Sequence, residues 1–152
     1  MANKFWLFKT EPNVYSIDDL AKLGTDHWDG VRNYQARNFL RDEIKVGDKV
    51  FIYHSRVDPM AIVGLAEVVR EGYPDYTQFN PESDHPDPKA SRDNPRWYMV
   101  DIQFVEKFKT PLTLTALREV PGLENMVLLQ KGSRLSIQPV TAEEAGVLLS
   151  LR

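Results

Sequence analysis

The most restrictive feature of this sequence is the shortness of its apolar segments, which end at residues typical of turns. Residues 5–8 read FWLF, and Val100, Ile102 and Phe104 alternate with polar residues. Such runs are typical of β-strands, and none reaches the about 18 apolar residues that a bilayer-spanning helix needs. The pattern therefore predicts short strands with short helices between them, and no membrane span.

Further strands are predicted where an apolar run follows a turn, at residues 49–54, 61–69, 97–108 and 135–140. Helix starts are marked by side chains that can cap the free N–H groups of a first turn: Ser16, Asn33 and Thr141. The acidic residue three positions after Ser16 and after Thr141 completes a capping box. The first helix is expected to turn Leu20 and Leu23 inward and to end at Gly24.

The organisation of the chain indicates one domain. It has 152 residues, the usual length of a domain, and neither a repeat nor a linker divides it. We therefore predict a single α+β domain over residues 1–152, built on a strongly curved or closed mixed sheet. Residues 72–95 hold five of the ten prolines and are predicted to form a long loop, a kind of segment that is often functional in compact domains.

The sequence lacks the common enzymatic and metal-binding motifs. It has no cysteine, no glycine-rich phosphate loop and no serine elbow, and its three histidines lack the spacing of a helical metal pair. We therefore assign no catalytic residue, no metal and no cofactor. The absence of cysteine and of a signal-peptide pattern favours a soluble cytoplasmic protein. The net charge of −3 argues against coating duplex DNA by bulk charge, so any nucleic-acid role needs a local site.

Residues 28–41, WDGVRNYQARNFLR, place polar and basic side chains around a turn and a helix start. A helix N-terminus offers free N–H groups and a partial positive charge, so with Arg32 and Arg37 nearby it is a candidate phosphate site. The alternative is that Asn33 only caps the helix and that Arg37 and Arg41 are only solvated. The residue types favour neither interpretation.

The three tryptophans differ in their surroundings. Trp6 lies in an apolar strand and is expected in the core, whereas Trp28 lies in a polar turn at residues 27–30 and Trp97 ends the long loop. Stacking on aromatic faces contributes about 1–3 kcal/mol per base, so Trp28 and Trp97 are candidate walls of a base-binding pocket. Residues 131–138 add basic and amide side chains that suit phosphates and base edges, unless they form only a basic surface turn.

Taken together, these stretches resemble the EVE domain family of PUA-like proteins. The matching segments run in order through almost the whole chain: FWLFKTEP at 5–12, YSIDDL at 15–20, WDGVRNYQARNFLR at 28–41, GDKVFIYHS at 47–55, YPD at 73–75, DPKA at 87–90, NPRWYMVDI at 94–102 and GSRLSIQPV at 132–140. The third segment is the most specific. The resemblance implies a PUA-like fold, a curved, barrel-like mixed sheet flanked by short helices. It also implies kinship with YTH domains, which hold a methylated adenine in an aromatic cage.

The resemblance implies a function as well. EVE domains look like readers of modified bases in DNA or RNA, with methylated or hydroxymethylated cytosine as the ligand of some members. Carried over position by position, the ligand-binding residues are Lys9, Thr10, Ser16, Trp28, Val31, Arg32, Asn33, Tyr34, Gln35, Tyr53, His54, Ser55, Trp97, Arg134 and Ser136. Among these, Arg134 is expected to contact a phosphate. The chain departs from the family pattern at residues 84–86, Asp-His-Pro, where aromatic residues are expected, so no base preference is carried over.

Three interpretations follow, in order of preference. The first is a non-enzymatic nucleic-acid-binding module that encloses a modified base, single-stranded or flipped, or a nucleotide-like small molecule. It predicts a deep pocket with a positive rim between Trp28 and Trp97, and alanine at either position should leave the fold largely intact. The second is an enzyme acting on a nucleotide or small anion, with His54 as its base, although His54 also suits a hydrogen-bonded structural role. The third is a protein-interaction module built on the long loop.

Overall fold

The computed structural model describes residues 3–132 and 134–152, which form one mixed sheet with short helices packed on it. The strands are β1 (Phe5–Thr10), β2 (Thr25–His27), β3 (Lys49–His54), β4 (Ala61–Pro74), β5 (Tyr98–Thr113) and β6 (Ile137–Val140). Their order is β2-β5-β4-β3-β1-β6, in which β1 and β3 are parallel and the other neighbours antiparallel. The predicted α+β class is confirmed. Over the described residues the sheet is open, so of the two predicted forms the closed one is not observed.

Three of the described helices begin at the caps that the sequence marks, Ser16, Asn33 and Thr141. The helices are α1 (Ile17–Leu23), α2 (Tyr34–Asn38), α3 (Leu114–Leu117) and α4 (Ala142–Leu151), and α2 continues as one π-helical turn. Both predicted capping boxes form, at Ser16 and at Thr141. Asn33 accepts a hydrogen bond from the N–H of Ala36 at 2.9 Å, which confirms its role as a cap. None of the helices in the described part of the chain is long and apolar enough to span a membrane.

Helix α1 packs on the sheet with its first turns only. Ile17 and Leu20 are each 1% exposed, and Gly24, at φ +81°, ends the helix as predicted. Leu23 is 60% exposed, so the prediction that it faces inward is wrong. The reason is that Leu23 lies in the last turn, beyond the part of the helix that contacts the sheet.

The sheet separates two apolar clusters. On one face Trp6 and Phe8 pack with α1, α2 and Trp28, and on the other face Leu7 packs with the helical residue Leu148. Successive strand side chains point to opposite faces, and both faces are covered, so residues 5–8 of β1 are all apolar rather than alternating with polar residues. Trp6 is 2% exposed and donates its indole N–H to the buried Asp48 at 2.9 Å, which confirms the prediction of a core position.

The neighbouring strands β4 and β5 are longer than the sequence predicts. Strand β4 runs to Pro74 and β5 to Thr113, and their register shifts at several irregularities along the way. Such bulges insert extra residues and bend the pair, so a regular alternation does not mark the strand ends. The long loop therefore begins after Pro74 and not at residue 72. It opens with a 3-10 turn at Tyr76–Phe79.

Candidate functional site

A cavity of about 400 Å³ opens at the end of the sheet where β1 stops and β6 begins. It is lined by Lys9, Thr10, Val14, Tyr15, Asp26, His27, Trp28, Asp29, Gly30, Val31, Arg32, Asp84, His85 and Ser136. Lys9 donates its backbone N–H to the carbonyl of Ser136 at 2.9 Å, so the two strand ends form one continuous side of the cavity. The volume lies in the range of pockets that hold small organic ligands, which is about 300–1,000 Å³.

The indole of Trp28 forms an apolar side of the cavity. It is only 8% exposed, with the ring of Phe8 at 5.3 Å and the ring of Tyr15 edge-on at 5.8 Å. Its backbone N–H bonds to the carbonyl of Val100 in β5 at 2.8 Å, so the segment continues the sheet pairing of β2. Trp28 thus belongs to the core and lines the cavity at once. Its burial contradicts the expectation that Trp28→Ala leaves the fold largely intact.

The imidazole of His85 lies against Gly30 on the loop side of the cavity. A β-carbon at Gly30, whose φ is +82°, would lie only 2.8 Å from Cε1 of His85, so the contact requires glycine. Nε2 of His85 lies 3.0 Å from Oδ2 of Asp29. The loop that departs from the family pattern therefore still supplies a flat ring to the cavity.

Arg32 holds this loop in place. Its guanidinium donates to the carbonyl of His85, to Asp75, to Thr77 and to the carbonyl of Val31, in five hydrogen bonds of 2.6–3.2 Å. A guanidinium has five N–H donors, so none remains for a ligand in this arrangement. The geometry therefore supports a structural role for Arg32 and not the predicted phosphate contact.

Asp75 is the buried acceptor of that network. Its side chain is fully buried and accepts hydrogen bonds from the N–H of Gly30 at 2.8 Å and from Arg32 at 3.1 Å, as well as from Thr77. Burial acts to raise the pKa of Asp75, but the hydrogen bonds from Thr77, Gly30 and Arg32 outweigh it and hold the pKa below its ordinary value. The carboxylate is therefore ionised and ties the cavity segment to the loop.

The charges of the cavity are mostly acidic. Its lining carries three carboxylates, Asp26, Asp29 and Asp84, against the cations Lys9 and Arg32. The predicted positive rim is therefore wrong for the described residues, because the segment around Trp28 and the loop both bring aspartates. Carboxylates accept hydrogen bonds from amino groups such as those on base edges, and they repel phosphates.

Two further side chains of the lining, Tyr15 and Lys9, have shifted pKa values. Burial, reinforced by the hydrogen bond that Tyr15 donates to Oδ2 of Asp26 at 2.8 Å, raises the pKa of the Tyr15 phenol well above its ordinary range. Burial lowers the pKa of the Lys9 ammonium below its ordinary value. Tyr15 is thus a permanent donor to Asp26, and Lys9 is a partly desolvated cation on the same lining as the indole of Trp28.

Six of the predicted site residues line the cavity: Lys9, Thr10, Trp28, Val31, Arg32 and Ser136. The other nine do not line it: Ser16, Asn33, Tyr34, Gln35, Tyr53, His54, Ser55, Trp97 and Arg134. Ser16 and Asn33 cap helices, Gln35 is exposed on α2, and Arg134 is exposed two residues before Ser136.

Trp97 is part of a clamp outside the cavity. It is 6% exposed, stacks on Tyr34 with ring centroids 4.8 Å apart, and has the guanidinium of Arg32 5.5 Å from its ring. Its indole N–H donates to Asp87 at 2.7 Å, and this bond is the main cause of the lowered pKa of Asp87. The predicted pocket between Trp28 and Trp97 is therefore corrected, because Trp97 fastens the long loop to α2 instead.

The end of β3 is also structural. Tyr53 is 2% exposed and packs in the apolar cluster on the other face of the sheet, since adjacent strand residues point to opposite faces. Nε2 of His54 accepts the N–H of Ile17 at 3.1 Å, and burial lowers the pKa of His54. Ser55 donates its backbone N–H to the carbonyl of Thr10 at 2.9 Å. This supports the structural alternative for His54 rather than a base at the cavity.

The sequence interpretation missed eight lining residues: Val14, Tyr15, Asp26, His27, Asp29, Gly30, Asp84 and His85. Those next to Trp28 could have been found from their position beside a candidate aromatic wall. The sequence marks Asp84 and His85 only as a departure from the family pattern, and it does not place them at the cavity, because the bonds of Arg32 bring them in from more than 50 positions along the chain. No group of side chains suited to a metal ion occurs in residues 3–132 or 134–152.

Known proteins match this chain over nearly its whole length. The sequence model of the EVE domain matches residues 4–151. Human thymocyte nuclear protein 1 is 46% identical over 96% of this chain and 72% of its own length. The zebrafish (Danio rerio) protein of the same name is 44% identical over 96% of this chain and 71% of its own length.

Solved structures give the same result. A hypothetical protein from Leishmania major superposes with a TM-score of 0.94 at 47% identity, covering 99% of this chain and 94% of that one. The human THYN1 protein in complex with 5-methylcytosine containing DNA superposes with a TM-score of 0.91 at 45% identity, covering 98% and 97%. The similarity therefore extends over nearly the whole chain and is not confined to one motif.

Proposed function

The chain belongs to the EVE domain family, and on that premise we propose that it is a non-enzymatic nucleic-acid-binding module that holds one modified base in the Trp28 cavity. The observation that carries the proposal is the nearly buried indole of Trp28 beside hydrogen-bonding groups, in a chain 45% identical to a human protein solved in complex with 5-methylcytosine containing DNA. A cytosine carrying a small 5-substituent is the ligand that this similarity favours.

The chemistry of the cavity suits a neutral base. A base stacked on the indole gains about 1–3 kcal/mol, and the surrounding carboxylates accept hydrogen bonds from its amino group. Lys9 and Ser136 lie on the same lining and can donate to ring acceptors. A methyl group adds about 1–3 kcal/mol only where a close apolar wall meets it, and Trp28 and Val31 are such walls. A recessed site accepts a base only from a single strand or after flipping, which costs a few kcal/mol.

Of the fifteen residues named from the resemblance, we propose direct ligand contact for Lys9, Thr10, Trp28, Val31, Ser136 and Arg134. Arg134 is exposed near Ser136 and is proposed to contact a backbone phosphate outside the acidic cavity. The remaining nine are not assigned to ligand contact: Arg32 lines the cavity but uses its donors to hold the loop, and the other eight lie outside the lining. With a net charge of −3, few phosphate contacts are expected. Each phosphate contact adds about 0.7–0.9 to the magnitude of the slope of log affinity against log salt concentration. Arg134→Gln should therefore reduce that magnitude by about 0.7–0.9.

The test is a binding titration with oligonucleotides that carry plain, methylated or hydroxymethylated cytosine, or methylated adenine, as single strands and duplexes of DNA and RNA. We expect selective binding of one modified base, weakened in Trp28→Phe and unchanged in Trp6→Phe, a matched tryptophan of the core that does not line the cavity. Failure of every oligonucleotide to bind at low salt, or equal weakening by both variants, would falsify the proposal.

The compartment is a separate proposal. The sequence favours the cytoplasm, whereas the relatives bear the name thymocyte nuclear protein. A base reader needs only access to its nucleic acid, which the cytoplasm of a cell without a nucleus provides. Fluorescence imaging of a fusion in its own cells distinguishes the two locations.

A further inference from the structure

One side chain at the mouth of the cavity is apolar and almost fully in water. Val14 is 75% exposed and at the same time lines the cavity. The other lining residues are buried aromatic and apolar groups, backbone at Gly30, or polar and charged side chains. Because most of its side chain is in water, Val14 contributes little burial to the fold, and what distinguishes it from other exposed apolar residues is its place on the cavity lining.

The turn that carries Val14 is held by its own hydrogen bonds. The backbone N–H groups of Val14 and Tyr15 both donate to the carbonyl of Glu11 at 2.9 Å, and the hydroxyl of Thr10 donates to the carbonyl of Tyr15 at 2.7 Å. Tyr15 in turn contacts Trp28 edge-on. These bonds hold the backbone of Val14 in place relative to the cavity.

We propose that Val14 is a wedge that enters the base stack of a duplex when a base moves into the Trp28 cavity. This inference rests on the proposed function. A flipped base leaves a gap between its neighbours, and proteins that unstack a duplex commonly fill such a gap with an apolar side chain. Val14 lies at the boundary between the enclosed base and whatever remains outside, which is the position that a wedge must have.

The wedge predicts a difference between duplex and single-stranded ligands. A single strand has no stack to be held open, so Val14 contributes little to its binding. In a duplex the isopropyl group replaces lost stacking contacts and is itself removed from water. Val14 therefore determines a preference for duplex and not the identity of the base.

The experiment measures affinity for one modified base in matched duplex and single-stranded oligonucleotides, using Val14→Ala and Val46→Ala. Val46 is a control because it is 52% exposed but lies near the start of β3, at the end of the sheet away from Thr10. We expect Val14→Ala to weaken duplex binding about tenfold, as for two methyl groups taken out of contact, and single-strand binding less than about twofold. Val46→Ala should change neither.

A second measurement reads the stack directly. With 2-aminopurine beside the modified base in the duplex, the wild-type protein should raise its fluorescence by unstacking it, and Val14→Ala should reduce that rise. Equal weakening of duplex and single-strand binding, or an unchanged duplex affinity, would overturn the wedge while leaving the proposed function intact. Failure of the wild type to bind the modified base in either the duplex or the single strand would instead overturn the proposed function.

Discussion

The carbonyl oxygen of His85 accepts two hydrogen bonds from the guanidinium of Arg32, at 2.6 Å from Nη2 and 3.2 Å from Nε. The same guanidinium bonds to the fully buried Asp75 at 3.1 Å, so one side chain ties two points of the long loop to the segment after Trp28. The loop side of the cavity thus depends on an arginine that offers the ligand no donor.

Replacing Arg32 should damage both stability and binding. Arg32→Met leaves the Asp75 carboxylate buried without its cation, and breaking a buried ion pair lowers the free energy of unfolding by about 3–5 kcal/mol. Arg32 is itself partly exposed, so we expect the lower end of that range. Urea unfolding checks this, with Arg41→Met as the control, because Arg41 pairs with Asp42 on the surface. Equal stability of the two variants would contradict the structural role.

The contact between Gly30 and His85 can be tested by adding one methyl group. Gly30→Ala places a β-carbon against the imidazole and strains a φ of +82°, so His85 must shift, the free energy of unfolding should fall by about 1–3 kcal/mol, and base binding should weaken. Gly24→Ala carries the same backbone strain at φ +81° with nothing within 4 Å, and should leave binding unchanged. Titration with a modified oligonucleotide compares them. If both bind like wild type, the position of His85 does not matter to the ligand.

Trp28 combines two roles that a graded substitution separates. Trp28→Ala removes a buried core ring and should lower the free energy of unfolding by about 3–5 kcal/mol. Trp28→Phe keeps an aromatic ring in the core but reduces the stacking surface, so we expect a folded protein whose base binding is weaker by about 1 kcal/mol. Circular dichroism and fluorescence titration measure the two effects. A Phe variant that binds with wild-type affinity would rule out stacking on the indole.

His54 should make stability depend on pH. Its Nε2 accepts the N–H of Ile17, which requires the neutral ring, and burial lowers its pKa in the folded state. As the pH falls, His54 is therefore protonated in the unfolded chain before it is protonated in the folded protein. The stability that the neutral His54 contributes is fully present above its ordinary pKa of 6.5, and it is lost as the pH falls from 6.5 through the lower pKa of the folded state. Urea unfolding at pH 7.5 and 5.5 should show a decrease in wild type that is smaller in His54→Gln, which keeps an acceptor but does not titrate. An equal decrease in both would assign the effect to other groups.

The helix ends and the family membership can be read from the linear order of residues. Capping boxes at Ser16 and Thr141, the cap at Asn33 and the glycine stop after α1 are set by side chains within four positions of each other, so they are visible in any linear pattern. The apolar run of β1 likewise reports a strand covered on both faces. The EVE family is identified for the same reason, because the match depends on the order of segments along the chain and not on which residues lie close together in the fold.

Which of the named residues meet depends on contacts between segments that are distant along the chain. Tyr53 and Trp97 carry the aromatic rings that a base pocket requires, but the alternation of β3 points one to the opposite face, and the contacts with Tyr34 and Asp87 draw the other into a loop clamp. His85 enters the cavity because the donors of Arg32 must be satisfied when it is partly buried. Residue types and their spacing do not encode that competition for partners, which is settled only when segments distant in sequence pack together.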